Sequence, residues 1–385
     1  MLSASGDSDL IAFSKPFIAG KELYYIAQAV ERGGLAGDQS FTRRCHAELE
    51  RLFGSPKALL THSCTAALEM AAILAGVGPG DEVIMPSFTF VSTANAFVLR
   101  GATPVFVDIR RDTLNLDEKL VAAALTDRTR AIVAVHYAGV PCEMEALLAI
   151  ASDRKLWLVE DAAQAVKSTW RGRMLGSVGH LGCASFHETK NIISGEGGAL
   201  LVNDERLIER AEIIREKGTN RSQFFRGMID KYTWVDIGSS YLPSELVAAF
   251  LAAQLEHVDA ITEQRRAAVD FYQSVLAPLA QDGKIGLPAT RLRDTGNGHM
   301  FYLFARDVEE RTKLIAHLRL RNVHAVFHYV PLHSSPAGRR YARTGSDMTV
   351  TDDVAARLVR LPLFRGITRL QQQHVVDAVF DFFRA

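Results

Sequence analysis

Short apolar segments alternate with helical patterns over residues 58–160, and this alternation limits the chain to few folds. The short segments are rich in branched aliphatic residues, as strands buried on both faces are. The predicted strands are Ala58–Leu60, Glu82–Met85, Pro104–Asp108, Ala131–His136 and Trp157–Glu160. The predicted helices between them lie near Thr65–Ala75, Val91–Leu99, Asp117–Leu125 and Glu143–Lys155. This order predicts an α/β fold whose mainly parallel sheet is covered by helices on both faces.

The chain on the carboxyl side of residue 160 extends this sheet and then forms a smaller unit. Strands near Cys183–Phe186 and Ala199–Val202 would complete the sheet, and one of the two can run antiparallel. A long helix near Ser244–Val275 would cross to an α+β unit. The elements predicted there are the strands His299–Ala305 and Ala325–Val330 and the helices Glu310–Arg321, Asp352–Arg360 and Gln371–Phe383. We expect a flexible tail over 1–12, a large domain over 13–255 and a small C-terminal domain over 256–385.

Composition excludes several classes of function. Lys plus Arg and Asp plus Glu both number 44, so the net charge is zero and neither a nucleic acid nor a membrane is an expected partner. No apolar segment has the length of a membrane span. The four cysteines are scattered without a C-x-x-C pair, which argues against a disulfide framework or a metal site. We expect a cytoplasmic protein.

A single lysine, Lys190, lies in a glycine-containing loop between two of the predicted strands. Gly195, Gly197 and Gly198 follow it, and glycine permits backbone shapes that other residues resist. A lysine placed in this way can reach into a pocket and act as a nucleophile toward a carbonyl. A solvated surface lysine is the alternative interpretation of this loop alone.

Two further stretches favour a ligand site. Glu160 and Asp161 follow a buried strand, at the sheet edge where α/β folds bind ligands. An acid there can cap a helix, or it can pair with a protonated ring nitrogen. Ser63 and Thr65 come before or at the start of an apolar helix. Either residue can simply cap that helix, but its free N–H groups would also bind a phosphate.

These stretches carry a resemblance to a known family, together with four longer segments. The segments are Phe41–Arg44, Met85–Phe97, Ser185–Gly198 and Lys217–Gly227. From Phe17 to about Phe364 the chain resembles the sugar-nucleotide aminotransferases that use pyridoxal phosphate (PLP) and adopt fold type I, the aspartate aminotransferase fold. It is most similar to the dTDP-4-amino-4,6-dideoxygalactose transaminases. The resemblance implies a large domain with a mainly parallel sheet, a smaller C-terminal domain, and a homodimer or higher homo-oligomer.

The resemblance also implies roles for individual residues. Lys190 would bond to the cofactor aldehyde and move the proton during catalysis, and Asp161 would pair with the ring nitrogen. Gln164 would hydrogen-bond the ring O3′, and Phe88 would stack on the ring. The phosphate would be bound by residues near the predicted helix start and strand end, namely Cys64, Thr65 and Ser185. Without the resemblance, a polar loop residue describes Gln164 and a core residue describes Phe88 equally well.

Other positions concern the substrate and the partner subunit. Related enzymes often have an asparagine from the partner subunit at the phosphate, where this chain has Ser240, so that contact is in doubt. The nucleotide diphosphate needs cationic donors, and the candidates are Lys217, Arg221 and Arg226, although a solvated basic face also explains them. His328 and Tyr329 are expected at the mouth of the site. A metal pair of His328 with His333 is not expected, because the two would point to opposite faces of a strand.

Three functions compete at this stage. The first is transfer of an amine from L-glutamate to a dTDP-4-keto-6-deoxyhexose, giving a 4-amino-4,6-dideoxy sugar of galactose configuration, as in lipopolysaccharide or common antigen biosynthesis. The second is another PLP reaction, namely 3-amination, a lyase or a sugar dehydratase; in the dehydratases a histidine replaces the lysine. The third is a regulator without turnover. We expect the aminotransferase.

Overall fold

The computed structural model describes residues 10–289 and 296–384. The helices in these ranges are α1 (Glu22–Glu31), α2 (Ser40–Phe53), α3 (Cys64–Leu74), α4 (Val91–Val98), α5 (Glu118–Ala124), α6 (Met144–Arg154), α7 (Ile208–Arg215), α8 (Arg221–Phe225), α9 (Glu245–Leu255), α10 (Val258–Gln281), α11 (Val308–Leu320), α12 (Pro336–Tyr341), α13 (Thr349–Arg357) and α14 (Arg369–Arg384). The strands are β1 (Lys57–Thr61), β2 (Glu82–Pro86), β3 (Thr103–Val107), β4 (Thr129–Val135), β5 (Trp157–Asp161), β6 (Thr169–Trp170), β7 (Arg173–Met174), β8 (Leu181–Ser185), β9 (Gly198–Val202), β10 (Phe301–Phe304), β11 (Arg343–Thr344) and β12 (Leu358–Leu361).

One eight-stranded sheet organises the large domain, in the order β1-β9-β8-β5-β4-β2-β3-β11. All neighbours pair in parallel except β9, which is antiparallel to both β1 and β8. The predicted α/β fold with a mainly parallel sheet is therefore confirmed, and β9 is its antiparallel strand. Because the other strands run in one direction, the ends of β1, β5 and β8 meet at the same edge of the sheet.

Helices bury both faces of this sheet. On one face α3 contributes a continuous apolar surface that includes Leu68 and Met70 and packs against Val133 and Val159. On the other face, alternate strand residues such as Ile132 and Leu158 form a separate core. The period-2 alternation of strand side chains explains why neighbouring residues enter different cores.

The predicted long helix near Ser244–Val275 is two helices, α9 and α10, with a break at Glu256 and His257. Residues of α9 pack in the large-domain core with Phe41 and Leu49. The later residues of α10 pack in the C-terminal core around Tyr272. The break allows the chain to change direction between the two cores.

The C-terminal unit differs from the prediction in two elements. Residues 325–330 form no strand, and only Val326 pairs there, through a single bridge with Arg360. The helix predicted over Asp352–Arg360 ends at Arg357, and the next four residues form β12, antiparallel to β10. Both errors arise because tertiary pairing decides the conformation of such short apolar segments.

The N-terminal tail expected over 1–12 needs correction where the structure describes it. Residues 1–9 lie outside the described residues. Ile11 is 5% exposed, and its backbone hydrogen-bonds with Asn322 and His324 of the small domain. Burial of its side chain in the C-terminal core therefore fixes the chain at this point.

Candidate active site

A cavity of about 470 Å³ lies at the edge of the sheet where the parallel strands end. Most of the residues selected from the sequence line its wall. They are Cys64, Thr65, Asp161, Gln164, Ser185, Lys190, His328 and Tyr329. The cavity therefore combines residues of the large domain with His328 and Tyr329 of the C-terminal unit.

Lys190 projects into this cavity from the loop between β8 and β9. Its backbone N–H donates to the carbonyl of His187 at 2.9 Å, so the loop turns tightly at this point. Burial lowers the pKa of the Lys190 amine, while Cys64 and Asp161 act in the opposite direction. A lowered pKa increases the neutral fraction of the amine, which is the nucleophilic form.

Glu160 and Asp161 point to opposite faces at the end of β5, which separates their roles. Asp161 faces the cavity, and one of its oxygens accepts the hydroxyl hydrogen of Thr93 at 2.7 Å. Glu160 is fully buried on the other face, where it pairs with His136 at 2.8 Å and accepts three backbone N–H groups. Burial alone would raise the pKa of Glu160, but these bonds, His136 first, lower it overall. Asp161 is the carboxylate that a ligand can reach.

The start of α3 presents unpaired N–H groups to the same cavity. Ser63 is the N-cap, since its hydroxyl accepts the N–H of Ala66 at 3.1 Å. Within the described ranges, the N–H groups of Cys64 and Thr65 have no acceptor, and the Thr65 hydroxyl bonds that of Ser92 at 2.7 Å. A helix start with free N–H groups and nearby hydroxyls is suited to an anion.

At two positions after Lys190, glycine is needed for two different structural reasons. Gly195 has a φ of +81°, which favours glycine. Gly198 lies against the start of α3, and a Cβ at this position would be 2.4 Å from the nitrogen of Cys64. The absence of a side chain at Gly198 therefore lets β9 approach the anion-binding helix start.

A hydrogen-bonded aromatic group forms the wall opposite α3. The Gln164 side chain accepts the N–H of Ala138 at 2.6 Å and donates to the Tyr329 hydroxyl at 3.0 Å. The Tyr137 hydroxyl bonds His328 at 2.9 Å. Burial first, then the charges of Arg360 and Lys190, lower the pKa of His328, so this imidazole is neutral near pH 7. The two hydrogen bonds of Gln164, to Ala138 and Tyr329, hold its side chain in one orientation at the cavity surface.

Comparison with known proteins matches this chain to one family. Residues 17–380 match the DegT/DnrJ/EryC1/StrS aminotransferase family. The chain belongs to this family. It is 32% identical over 382 residues to the spore coat polysaccharide biosynthesis protein SpsC of Bacillus subtilis, with 96% of both chains covered. It is 35% identical to a pleiotropic regulatory protein of Geobacillus stearothermophilus, over 83% of this chain and 82% of that protein.

A solved structure of the same family gives a similar result. DesV of S. venezuelae, in complex with a ketimine intermediate, superposes with a TM-score of 0.88 and is 32% identical. The match covers 98% of this chain and all of DesV. The predicted family is therefore confirmed, and the chain is an aminotransferase of the DegT/DnrJ/EryC1/StrS family that acts on sugars and depends on PLP.

The cavity fits the cofactor of the DegT/DnrJ/EryC1/StrS aminotransferases. Lys190 offers an amine for its aldehyde, Asp161 a carboxylate for its ring nitrogen, and the start of α3 offers N–H donors for its phosphate. The volume is within the range of roughly 300–1,000 Å³ that is usual for small-molecule sites. Each of these groups has the chemistry that PLP requires, and all of them line one cavity.

The structure corrects the prediction for Phe88. This side chain is fully buried, it is not part of the cavity wall, and it packs against Tyr137, His328 and Tyr329. Phe90, two residues later, lines the cavity and is 58% exposed. Phe90 is the aromatic side chain available to a ring in the cavity, whereas Phe88 supports the wall from behind.

The structure does not bring the predicted cationic residues into the cavity of their own chain. Lys217 and Arg221 lie 3.6 and 3.8 Å from Glu216, and Arg226 pairs with Glu212 at 2.7 Å. The exposed Ser240 forms a backbone bridge with Glu216 and is also absent from the cavity wall. These residues lie beside or within a segment that contacts α7, and none of them lines the cavity that Lys190 enters.

Several lining residues were not predicted from the sequence. They include Phe13, Ser92, His187, Glu196, His299 and Arg360. His299 donates to or accepts from Asn191 at 3.0 Å, and its pKa is lowered by burial and then by Lys190. A polar residue in an otherwise apolar strand segment, such as Arg360 in Leu358–Leu361, was the one available signal.

Two kinds of feature are absent from the described residues. No helix there combines the length and apolar character that crossing a bilayer requires. No group of three His, Cys, Asp or Glu side chains in residues 10–289 and 296–384 could hold a metal ion. His328 and His333 are instead bonded to Tyr137 and Ser87.

Proposed function

We propose that this aminotransferase transfers the amino group of L-glutamate to C4 of a dTDP-4-keto-6-deoxyhexose. The product would be the dTDP-4-amino-4,6-dideoxyhexose, of galactose configuration. The observation that carries the chemistry is the meeting of the Lys190 amine, the Asp161 carboxylate and the free N–H groups of α3 in one cavity. The choice of sugar rests on the resemblance of the segments described from the sequence.

Each residue has a defined task in this reaction. When bound, PLP would supply an electron-withdrawing ring, which makes the proton on the α-carbon of the amino donor removable. Burial lowers the pKa of the Lys190 amine and so increases its neutral fraction, and this amine would take the proton and return it. Asp161 keeps the proton of the ring nitrogen in place, and Thr93 orients Asp161 through the 2.7 Å hydrogen bond.

We propose that Lys217, Arg221, Arg226 and Ser240 serve the cavity of a second subunit in a homodimer. Lys217, Arg226 and Ser240 are exposed and Arg221 is half-buried, and all four lie on the segment 218–240 or directly beside it. The segment also exposes large apolar side chains, including Phe225 at 68% and Trp234 at 77%. Large apolar side chains at this exposure favour an interface between subunits. In such an interface, the nearby cations would bind the diphosphate of the substrate in the cavity of the second subunit.

The cellular setting follows from the proposed substrate. A dTDP-linked sugar is an intermediate of deoxysugar synthesis, so we propose a cytoplasmic role in lipopolysaccharide or common antigen biosynthesis. The name of the relative SpsC refers to polysaccharide biosynthesis, which supports a role of this general kind. The regulatory function is not proposed, because the complete set of Lys190, Asp161 and phosphate donors is present.

The experiment compares two substrates and identifies the product. Purified enzyme is incubated with PLP and L-glutamate, and with either the 3-keto or the 4-keto dTDP-6-deoxyhexose. We expect turnover of the 4-keto sugar only, and NMR should show an axial amine at C4. Turnover of the 3-keto sugar alone would disprove the C4 assignment, and an equatorial amine would disprove the galactose configuration.

A further inference from the structure

His299 lies in the cavity wall, and its surroundings decide which of its ring nitrogens carries the hydrogen. Its Nδ1 atom lies 3.0 Å from Oδ1 of Asn191. The Nδ2 atom of the same Asn191 amide donates to the backbone carbonyl of Asn297 at 2.9 Å. A carbonyl can only accept, so this second bond fixes the orientation of the amide and leaves Oδ1 as an acceptor. The hydrogen of the His299 ring is therefore on Nδ1.

The Nε2 atom of His299 is consequently an acceptor that is open to the cavity. Burial first, and then nearby positive charges with Lys190 the largest, lower the pKa of His299 well below 6.5, so the ring is neutral near pH 7. A neutral imidazole has one N–H, and here Nδ1 has it. Among residues 10–289 and 296–384, no donor bonds Nε2, and this atom is not one of the fully buried polar atoms without a partner. A ligand or a cavity side chain can therefore donate to it.

The backbone holds this imidazole in place. The His299 N–H donates to Oδ1 of Asn297 at 3.0 Å, and its carbonyl accepts from Arg265 at 2.7 Å. Asn297 in turn donates to the carbonyls of Gln164 and Val166 at 2.9 and 2.8 Å. A side chain that is already fixed loses little rotamer freedom when it accepts a further hydrogen bond. His299 is thus a preorganised acceptor.

Lys190 is the donor best placed for this acceptor. It precedes Asn191 in the chain, and both Lys190 and His299 line the cavity. Of the charges that act on His299, that of Lys190 has the largest effect, so the amine lies close to the ring. Within the described ranges, no hydrogen bond acts on the Lys190 charge. An ammonium group has three N–H donors, and in a buried site they need acceptors.

We infer that His299 positions the Lys190 amine, because its Nε2 atom accepts a hydrogen bond from that amine whenever Lys190 is not joined to the cofactor. This inference rests on the role that the proposed function gives to Lys190. In that role the amine takes a proton from the α-carbon of the amino donor and becomes an ammonium group, while the electron pair of the broken bond passes to the cofactor ring. Nε2 holds one of the three N–H bonds and directs the others toward the reacting atoms. His299 keeps its own hydrogen on Nδ1, so it orients the amine without relaying the proton.

Two substitutions separate this role from a structural one. His299→Asn keeps an N–H near the position of Nδ1, for the bond to Asn191, and lacks Nε2. His299→Gln has an amide oxygen near the position of Nε2 and lacks the Nδ1 donor. His180→Asn is the matched control, since His180 is a half-buried imidazole outside the cavity whose Nδ1 accepts the N–H of Leu158 at 2.9 Å. The Tm of each variant reports whether it folds.

The first readout uses the full chain without cofactor and needs no turnover. The rate at which acetic anhydride labels Lys190 is measured by mass spectrometry over a range of pH, because only the neutral amine reacts. The other groups that act on the Lys190 charge, Cys64, Asp161 and Arg360, are present in every variant. Loss of an acceptor destabilises the ammonium form. In His299→Asn the midpoint of the profile should therefore move to lower pH, and the rate below the midpoint should rise roughly tenfold.

The other two variants show which nitrogen of His299 matters. The labelling profiles of His299→Gln and His180→Asn should match that of the wild type. A wild-type profile for His299→Asn would overturn the contact with Lys190. A profile that shifts equally in both His299 variants, or in His299→Gln alone, would assign the ring to its bond with Asn191 and would also contradict the inference.

The second readout is a single turnover of holoenzyme with saturating L-glutamate, followed through the absorbance of the bound cofactor. His299→Asn should slow it roughly 10- to 100-fold, because the amine is misplaced. Deuterium on the α-carbon of glutamate should slow this variant at least as much as the wild type, since the slow step is proton transfer. A smaller isotope effect, or greater slowing in His299→Gln than in His299→Asn, would overturn the inference. If glutamate causes no spectral change in the wild type, the proposed function fails, and the labelling profile still decides whether His299 contacts Lys190.

Discussion

At the scale of residues, two neighbouring carboxylates have separate tasks because adjacent strand residues face opposite sides. Glu160 is a structural group that is satisfied by His136 and backbone N–H groups, whereas Asp161 faces the cavity. Periodicity alone could not decide between them, since both come at the end of a predicted strand. The resemblance to the family selected Asp161, and the geometry gives the physical reason for that selection.

Asp161→Ala should reduce turnover on the order of a hundredfold or more. Removal of a preorganised charge from the ring nitrogen typically has an effect of this size. The measurement is kcat with saturating PLP and glutamate. Thr93→Val, which removes only the 2.7 Å hydrogen bond to Asp161, should have a smaller effect. Near-normal kcat for Asp161→Ala would mean that another acid serves the ring.

Lys190→Ala should abolish the covalent bond between protein and cofactor. The amine of Lys190 is the one placed in the cavity with a pKa lowered by burial. Borohydride reduction followed by peptide mass spectrometry should locate the cofactor on Lys190 in the wild type. A reduced cofactor on any other lysine, or a labelled Lys190→Ala protein, would refute the assignment.

Phe90 and Arg360 show why the site could be predicted only in part. Phe90 lies two residues from the predicted Phe88, and only the direction of each side chain separates their environments. Arg360 is 170 positions from Lys190 in the sequence, and its single charge in an apolar segment does not show that the two residues line one cavity. Residues to which the resemblance gives a role were found even when remote in sequence, such as His328, whereas other lining residues, such as Ser92 and Arg360, were not.

At the scale of elements, strands β1 to β4 of the large domain could be predicted because each is bounded by turns and followed by a helical pattern. The C-terminal strands are short and lack this context, so the segment 325–330 was assigned wrongly. Strand β11 could not be predicted at all. It contains two residues, and long-range pairing with β3 at the edge of the large sheet defines it.

Glu82 connects β11 to the large sheet and should make stability depend on pH. Its carboxylate accepts hydrogen bonds from Arg343 at 2.7 and 3.0 Å and from Arg128 at 2.6 Å. The Arg343 bond is the main cause that lowers the pKa of Glu82 to about 2. Because the pKa is lower in the folded state, the stabilisation is present above about pH 4.5. It is lost as the pH falls toward 2.

Glu82→Gln should therefore reduce the free energy of unfolding by about 1–3 kcal/mol at pH 7. The difference from wild type should shrink between pH 4.5 and 2, as measured by urea unfolding. Glu48→Gln is a suitable control, since its surface pair with Arg51 is solvent-exposed. A difference that stays constant over this pH range would contradict the role of the Glu82 charge.

At the scale of the whole molecule, the proposed homodimer accounts for the exposed apolar segment 218–240. Trp234→Asp should weaken self-association, because Trp234 is 77% exposed within that segment. Leu320→Asp, at an equally exposed position of α11 (85%), should leave association unchanged. Sedimentation velocity at assay concentrations measures both. A wild-type protein that is fully active as a monomer would disprove the dimer.

The most direct test of amine transfer uses one substrate and no sugar. L-Glutamate is added to purified holoenzyme, and the cofactor absorbance and the 2-oxoglutarate formed are measured together. An aminotransferase should change the cofactor band completely and release one 2-oxoglutarate per active site. It should then stop, because the amine has no acceptor. Continued release without an acceptor, or no spectral change at saturating glutamate, would contradict the assignment of an amine-transfer site to this cavity.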